Sequence, residues 1–147
     1  MTIDGSSADD GTTPVDTTGS PGGPIARPAL EWEQVVVDAL EPATLAHWWA
    51  DALGWVVVSP SGDDEPEIRS SPDSLPGLLF VRVPEGKTLK NRLHLDFRPD
   101  DQDAEVARLL ELGATRTDVG QTSDVTWVVL ADPEGNEFCV LGERRAS

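Results

Sequence analysis

The sequence is poor in cysteine, in long apolar runs and in basic residues, and each scarcity argues against a class of protein. Cys139 is the only cysteine, so no disulfide can form within the chain, and we expect a reducing, cytoplasmic compartment. No apolar run approaches the roughly 20 residues that a membrane-spanning helix requires. No basic residue precedes Arg27 and no apolar segment lies before it, so we expect no secretory signal.

Charge of one sign dominates the chain. It has 27 Asp and Glu residues against 11 Lys and Arg residues, which gives a formal net charge of −16. Such a surface repels nucleic acids and anionic membranes, so neither is expected as a partner. The excess of acid is interpreted as a solvated, solubilising surface.

Composition divides the chain into a tail and one domain. Residues 1–28 are rich in Gly, Ser, Thr, Asp and Pro and have few large apolar side chains. They cannot bury enough surface to offset the entropy of ordering, so we expect a disordered acidic tail. Residues 29–142 are long enough for one domain with its own core, and 143–147 are expected to form a frayed C-terminus.

Two consecutive segments, 30–84 and 90–142, show the same order of predicted elements: strand, helix and three strands. In the first segment, strands are predicted at 32–37, 55–59, 67–70 and 78–83. The first helix is predicted to begin at Pro42 and to end at Gly54, with an apolar stripe that includes Trp48 and Trp49. In the second segment, strands are predicted at 90–97, 114–119, 125–131 and 136–141. The second helix is predicted to be capped by Asp100 and to end at Gly113.

The predicted strand at 90–97 carries unusual chemistry on one face. Its side chains alternate, as in a half-buried strand. The apolar face would carry Leu93, Leu95 and Phe97. The other face would carry Arg92, His94 and Asp96. A guanidinium, an imidazole and a carboxylate in a row indicate a functional surface rather than a face that only contacts solvent.

These patterns together predict an α+β fold of two tandem βαβββ modules. Eight strands would form a curved sheet with both helices on its convex side. The concave side would then be a small-molecule cavity, because ligand sites are mostly apolar hollows with a few polar groups.

The paired modules, together with the segments KNRLHLD at 90–96 and DPEGNEFC at 132–139, resemble a known superfamily. It is the vicinal oxygen chelate superfamily, which includes glyoxalase I, extradiol dioxygenases and bleomycin-resistance proteins. More narrowly, the chain resembles the glyoxalase-like domain proteins of actinobacterial type. The resemblance implies the fold, but it leaves the reaction open because one fold hosts many functions.

Metal enzymes of this superfamily take ligands from the first and last strands of each module. The resemblance places Gln34 and His94 at the two first-strand positions. In the last strand of module one, Phe80 and Arg82 lie where an acidic metal ligand would be needed. In the last strand of module two, Cys139 stands where the superfamily has a glutamate ligand. Two ligands and a neutral thiol are too few for a catalytic cation, so no metal or other cofactor is expected.

Six residues are candidates for a metal-free site. His94 would carry a proton or donate to a ligand, unless it is a structural residue bonded to Asp96 or Gln34. Arg82 and Arg92 would hold a carboxylate or phosphate, unless they form ion pairs at the sheet edge. Trp127 would stack on a flat ligand or belong to the core. The remaining ligand-binding candidates are Gln34 and Cys139, although a lone cysteine is usually a small buried residue.

Three functions follow from these residues. The first is a cavity protein that binds a small molecule without metal. The second is a metal-dependent lyase, isomerase or dioxygenase. The third is a non-catalytic interaction or drug-sequestering module. Whether the protein is an enzyme stays open, and a homodimer is compatible with all three.

Overall fold

The computed structural model describes residues 30–59 and 64–144, and those from Trp32 onward belong to one compact unit. The predicted tail at 1–28 and the last three residues lie outside the described ranges. Within those ranges, no helix combines the length and the apolar character that crossing a membrane requires.

Both modules form in the expected order of elements. The first contains β1 (Gln34–Ala39), α1 (Pro42–Leu53), β2 (Val56–Val57), β3 (Glu67–Arg69) and β4 (Gly77–Arg82). The second contains β5 (Leu95–Phe97), α2 (Gln102–Leu112), β6 (Thr115–Arg116), β7 (Val128–Ala131) and β8 (Glu137–Val140).

The two modules have the same sheet topology. The strand order is β1-β4-β3-β2 in one sheet and β5-β8-β7-β6 in the other. In each sheet the first and last strands of the module pair in parallel, and the other pairs are antiparallel. This repetition confirms the α+β fold of two tandem modules. The eight strands form two four-stranded sheets, however, rather than the single continuous sheet that the sequence suggested.

Helix ends follow the local chemistry of the chain. Pro42 occupies the first turn of α1, and Gly54 ends the helix at φ 65°, a left-handed conformation that favours glycine. Asp101, not Asp100, caps α2: its carboxylate accepts a hydrogen bond of 3.0 Å from the backbone N–H of Ala104. The predicted cap was therefore one residue early.

The core joins the two modules. Trp48 and Trp49 of α1 are both buried, as the helical stripe predicted. The ring of Trp49 packs edge-on against Phe138 of β8, with centroids 4.9 Å apart. Phe80 and Leu130 are also fully buried, one from each sheet. One hydrophobic core thus spans both halves of the chain.

Two strands differ from their predicted bounds. The strand predicted at 90–97 is reduced to β5, and Leu93, expected to be buried, is 89% exposed. The cause is a contact with β8: the backbone N–H of Asn91 donates to the carboxylate of Glu137 at 3.0 Å instead of joining the ladder. β1 begins two residues later than predicted, which leaves Trp32 66% exposed and outside the core.

The hairpin at 132–135 attaches module two to α1. Asp132 is buried, and its carboxylate accepts a 2.9 Å hydrogen bond from Nε1 of Trp49. The carboxylate of Glu134 accepts from the backbone N–H groups of Leu40 and Glu41, at 2.6 and 3.2 Å. The sequence predicted only a turn here, whereas the folded hairpin also caps a helix of the other module.

Candidate functional site

Strands β5, β7 and β8 position a cavity on one face of the second sheet. Asp96 is paired with Cys139 across the parallel strands, and Cys139 is paired with Val129, so the three side chains share a face. We call the hollow beside them the module-two cavity; its volume is about 370 Å³. Its walls include apolar and aromatic groups from Trp127, Val129 and Leu141, and polar groups from Lys90, His94, Asp96, Gln121, Glu137 and Cys139.

A cluster of three different donors forms the polar centre of this cavity. Nε2 of His94 lies 3.2 Å from Oδ1 of Asp96. The donor atoms of His94, Asp96 and Cys139 all lie within 4.8 Å of one another. The carboxylate of Asp96 thus lies beside the imidazole of His94 and close to the thiol of Cys139.

The same carboxylate keeps the thiol of Cys139 protonated. Burial, the charge of Asp96 and a hydrogen bond to Asp96 together raise the pKa of Cys139 from 9.0 to about 11. The thiolate is the reactive form of cysteine, and it is rare at neutral pH when the pKa is this high. Cys139 is thus a buried hydrogen-bond donor rather than an activated nucleophile.

A second carboxylate borders the cavity but is already paired. Glu137 accepts from Nζ of Lys87 at 2.8 Å and from the backbone N–H of Asn91 at 3.0 Å. Burial alone would raise the pKa of Glu137, but these hydrogen bonds and the lysine charge lower it overall. Glu137 therefore stays ionised and anchors the segment that links the two modules.

The structure brings together three of the six predicted site residues. His94, Trp127 and Cys139 all line the module-two cavity. Arg82 lies elsewhere, where it donates to the carbonyl of Leu40 at 2.7 Å and lies 3.9 Å from a carboxylate oxygen of Glu41.

The other two predicted residues also lie apart from the cavity walls. Gln34 is in β1 of the first sheet, where it is paired with Gly77. Arg92 is an exposed residue of the segment before β5. No arginine is among the residues that line the module-two cavity. Arg82 and Arg92 therefore do not form the predicted anion-binding site there.

The ligand pattern implied by the superfamily is not filled by this chain. Residues paired in the parallel ladder share a face, so Leu79 and Val81 of β4 lie on the same face as Val36 and Asp38 of β1. Phe80, which the resemblance placed where an acidic ligand would be needed, is fully buried in the core. Neither leucine nor valine can bind a cation. A nitrogen, an oxygen and a sulfur donor do converge in module two, and zinc accepts that combination.

A second hollow lies between the modules. This inter-module cavity has a volume of about 410 Å³ and shares Asn91, His94 and Glu137 with the first. Its floor includes the core residues Trp49 and Phe138. Several of its carboxylates are engaged in holding the fold, as described above for the hairpin, so it offers fewer free polar groups to a ligand.

Sequence reasoning placed Asp96 on the functional face of its strand without making it a candidate ligand-binding residue, and it missed Glu137. The sequence spacing of each residue from a predicted site residue indicated that it lies on the cavity face. Asp96 lies two residues after His94, and Glu137 lies two residues before Cys139, so strand alternation places each pair on one face. Neither residue could be assigned a role without knowing which atoms the carboxylates contact.

Paired βαβββ modules with a hollow on one sheet define a class of small α+β proteins with a ligand-sized cavity. Within that class, the chain belongs to the Glyoxalase-like domain family, whose model matches residues 34–141. This assignment confirms the resemblance found in the sequence. The comparison with curated proteins finds no match.

Solved structures share the fold at low sequence identity. A member of the glyoxalase/bleomycin resistance protein/dioxygenase superfamily from Sphaerobacter thermophilus has 14% identity and a TM-score of 0.56, covering 78% of this chain and 98% of its own. The antibiotic binding protein TnmS3 from a Streptomyces species has 18% identity and a TM-score of 0.55, covering 80% and 99%. The fosfomycin resistance protein FosX from Listeria monocytogenes has 13% identity and a TM-score of 0.55, covering 80% and 93%.

Proposed function

We propose that this protein binds a small molecule in the module-two cavity without using a metal. The observation that carries the proposal is the convergence of His94, Asp96 and the thiol of Cys139 in a hollow of about 370 Å³ that Trp127 also lines. A volume of this size lies within the range of ordinary ligand pockets. Apolar walls supply the binding energy, and the few polar groups fix the orientation of the ligand.

Similar proteins support this proposal by their names. TnmS3 is described as an antibiotic binding protein, and FosX as a fosfomycin resistance protein. Both share the fold of this chain, and the name of TnmS3 shows that a protein of this fold binds an antibiotic. Sequestration of such a molecule, rather than its chemical conversion, is the function we favour. Cys139 supports that choice because its thiol is not activated.

A thermal-shift screen against aromatic and anionic metabolites tests the proposal. A ligand at about 100 times its Kd stabilises the native state by about 2.7 kcal/mol, which raises the melting temperature. We expect Trp127→Ala and His94→Ala to weaken the effect, because both side chains line the cavity. His47→Ala is the matched control, since His47 lies exposed on α1. Equal shifts in all variants, or no shift with any compound, would contradict the proposal.

A divalent cation at the same residues is the second candidate, and the donor cluster favours it specifically. His94, Asp96 and Cys139 would hold the ion, which would polarise a substrate oxygen when bound. Cobalt(II) titration tests this idea because a thiolate ligand gives an intense charge-transfer band. The band should appear in the wild type and disappear in Cys139→Ser. Absence of stoichiometric zinc or cobalt after dialysis would eliminate the metal-dependent function.

We further propose a cytoplasmic homodimer. Trp32 and Val36 are 66% and 52% exposed, and Val36 lies on the sheet face that is turned away from α1. Large exposed apolar side chains such as these are typical of a contact surface. Light scattering after size exclusion should give twice the mass of one chain, and Val36→Lys should halve it. A monomer at micromolar concentration would contradict the dimer.

A further inference from the structure

The two carboxylates of the module-two cavity, Glu137 and Asp96, differ in whether a basic side chain neutralises them. Glu137 is paired with Lys87 at 2.8 Å, and both side chains are largely buried at 12% and 20% exposure. Together they form a neutral, fixed unit. Glu137 therefore contributes little net charge to a ligand in the cavity.

Asp96 is different because its contacts are uncharged or only weakly basic. Its carboxylate lies 3.2 Å from Nε2 of His94 and within 4.8 Å of the thiol of Cys139. No lysine or arginine of the described ranges lies within 4 Å of it. Asp96 is held in β5 by its pairing with Cys139 of β8, and its side chain is 47% exposed, so a ligand can reach it.

Lys90 is the lysine that lines the cavity, and its charge lowers the pKa of the Cys139 thiol, against the larger effects of burial and Asp96. It lies in the segment before β5 and is exposed to solvent. A lysine ammonium on its four-carbon stem can turn outward at little cost. The fixed charge that a ligand meets is therefore the negative one of Asp96.

We propose that the cavity selects a planar molecule whose end nearest Asp96 carries a cationic hydrogen-bond donor, such as an amidinium or a protonated amine. This inference rests on the proposed ligand-binding function and names its ligand class. It reverses the sequence-based expectation of an anion held by Arg82 and Arg92, neither of which lines the cavity. Trp127 provides the apolar ring against which a planar body can stack.

Three probes of one shape and different charge test the proposal: 2-naphthamidine, 2-naphthamide and 2-naphthoate. Their affinities for the full chain can be measured by titration calorimetry or by shifts in amide NMR spectra. A charge-assisted hydrogen bond should make the amidine bind at least about tenfold more tightly than the neutral amide. The carboxylate should bind most weakly, because Asp96 repels it.

Matched variants assign the preference to one residue. Asp96→Asn keeps the size of the side chain and should abolish the advantage of the amidine, whereas Asp51→Asn, at an exposed position of α1, should leave it unchanged. Trp127→Ala should weaken all three probes about two- to tenfold. Far-ultraviolet circular dichroism shows whether each variant is folded.

The outcomes separate the two proposals. If amide and carboxylate bind as well as the amidine, or if Asp96→Asn leaves the preference intact, the ligand class is wrong while the cavity function stands. If none of the three probes binds and the metabolite screen is also negative, the binding function itself fails, and the ligand class fails with it.

Discussion

At the scale of single residues, Asp96 determines the chemistry of the cavity. Its one carboxylate lies 3.2 Å from Nε2 of His94, and together with burial its charge raises the pKa of the Cys139 thiol to about 11. The thiol is therefore kept protonated at neutral pH. A residue that contacts both groups thus favours binding or proton transfer over nucleophilic attack by sulfur.

Replacing this carboxylate should make the thiol more reactive. We expect the alkylation rate of Cys139 by iodoacetamide to rise with pH toward a pKa of about 11 in the wild type. In Asp96→Asn the negative charge is gone, so the pKa should fall and alkylation at pH 8.5 should become faster. Mass spectrometry of the labelled protein measures the rate. An unchanged rate, or faster alkylation also in the control Asp38→Asn, would contradict the role given to Asp96.

The same shift has a consequence for stability. The pKa of Cys139 is raised in the folded protein, so the folded state binds its proton more tightly than the unfolded state does. The resulting stabilisation is complete below pH 9 and is lost as the pH rises through about 11. Denaturation in urea at pH 8 and pH 10.5 should show this loss, and Cys139→Ser should remove the part that is due to the thiol.

At the scale of elements, α1 is held at both ends by residues of module two. Glu134 accepts from backbone N–H groups at its N-terminus, as described above. At the other end, Arg108 of α2 donates to the carbonyl of Ala52 at 2.7 Å. A negative group at a helix N-terminus and a positive group at its C-terminus both match the helix dipole. Module two therefore stabilises a helix that is not its own.

Removing the glutamate should destabilise the protein through that helix. Glu134→Ala leaves two terminal N–H groups without their acceptor, and loss of such a cap costs about 0.5–2 kcal/mol. Urea denaturation measures the change, and hydrogen exchange should quicken at the amides of Leu40 and Glu41. The matched control is Glu85→Ala, in the Pro-Glu-Gly turn that follows β4, where the glutamate lies exposed. Equal effects of the two substitutions would refute the capping role.

At the scale of the whole molecule, the two modules depend on one another. The indole of Trp49 contacts Phe97 and Phe138 of module two, with ring centroids 5.7 and 4.9 Å away, and it donates to the buried carboxylate of Asp132. Trp48 donates across the two helices to the carbonyl of Leu112 at 3.0 Å. The sheets are separate in their hydrogen bonding, but their core is common.

We therefore expect one cooperative unfolding transition. Calorimetric and van't Hoff enthalpies should agree, as they do for a two-state domain. Separate fragments covering 30–84 and 90–142 should lack the near-ultraviolet circular dichroism of packed tryptophan, because each would expose half of the core. A fragment that folds alone, or two resolved transitions in the intact chain, would contradict this interdependence.

Periodicity in the sequence was sufficient for the helices and the duplication. The tryptophan stripe of α1, the Pro and Gly at its ends and the repeated order of elements depend on neighbours in the chain, and they were predicted correctly. The length of β5 was not, because Asn91 bonds to Glu137, 46 residues away. No local pattern reveals that a side chain will take the place of a neighbouring strand.

The candidate site was likewise predicted only in part. The sequence by itself was sufficient to recognise the family. Strand alternation also showed that His94 and Asp96 share a face. Only the tertiary structure decided that Cys139 joins them and that Arg82 and Gln34 do not. The reason is physical: alternation fixes the face of a side chain, whereas its partners are set by strand pairing between residues far apart in the chain.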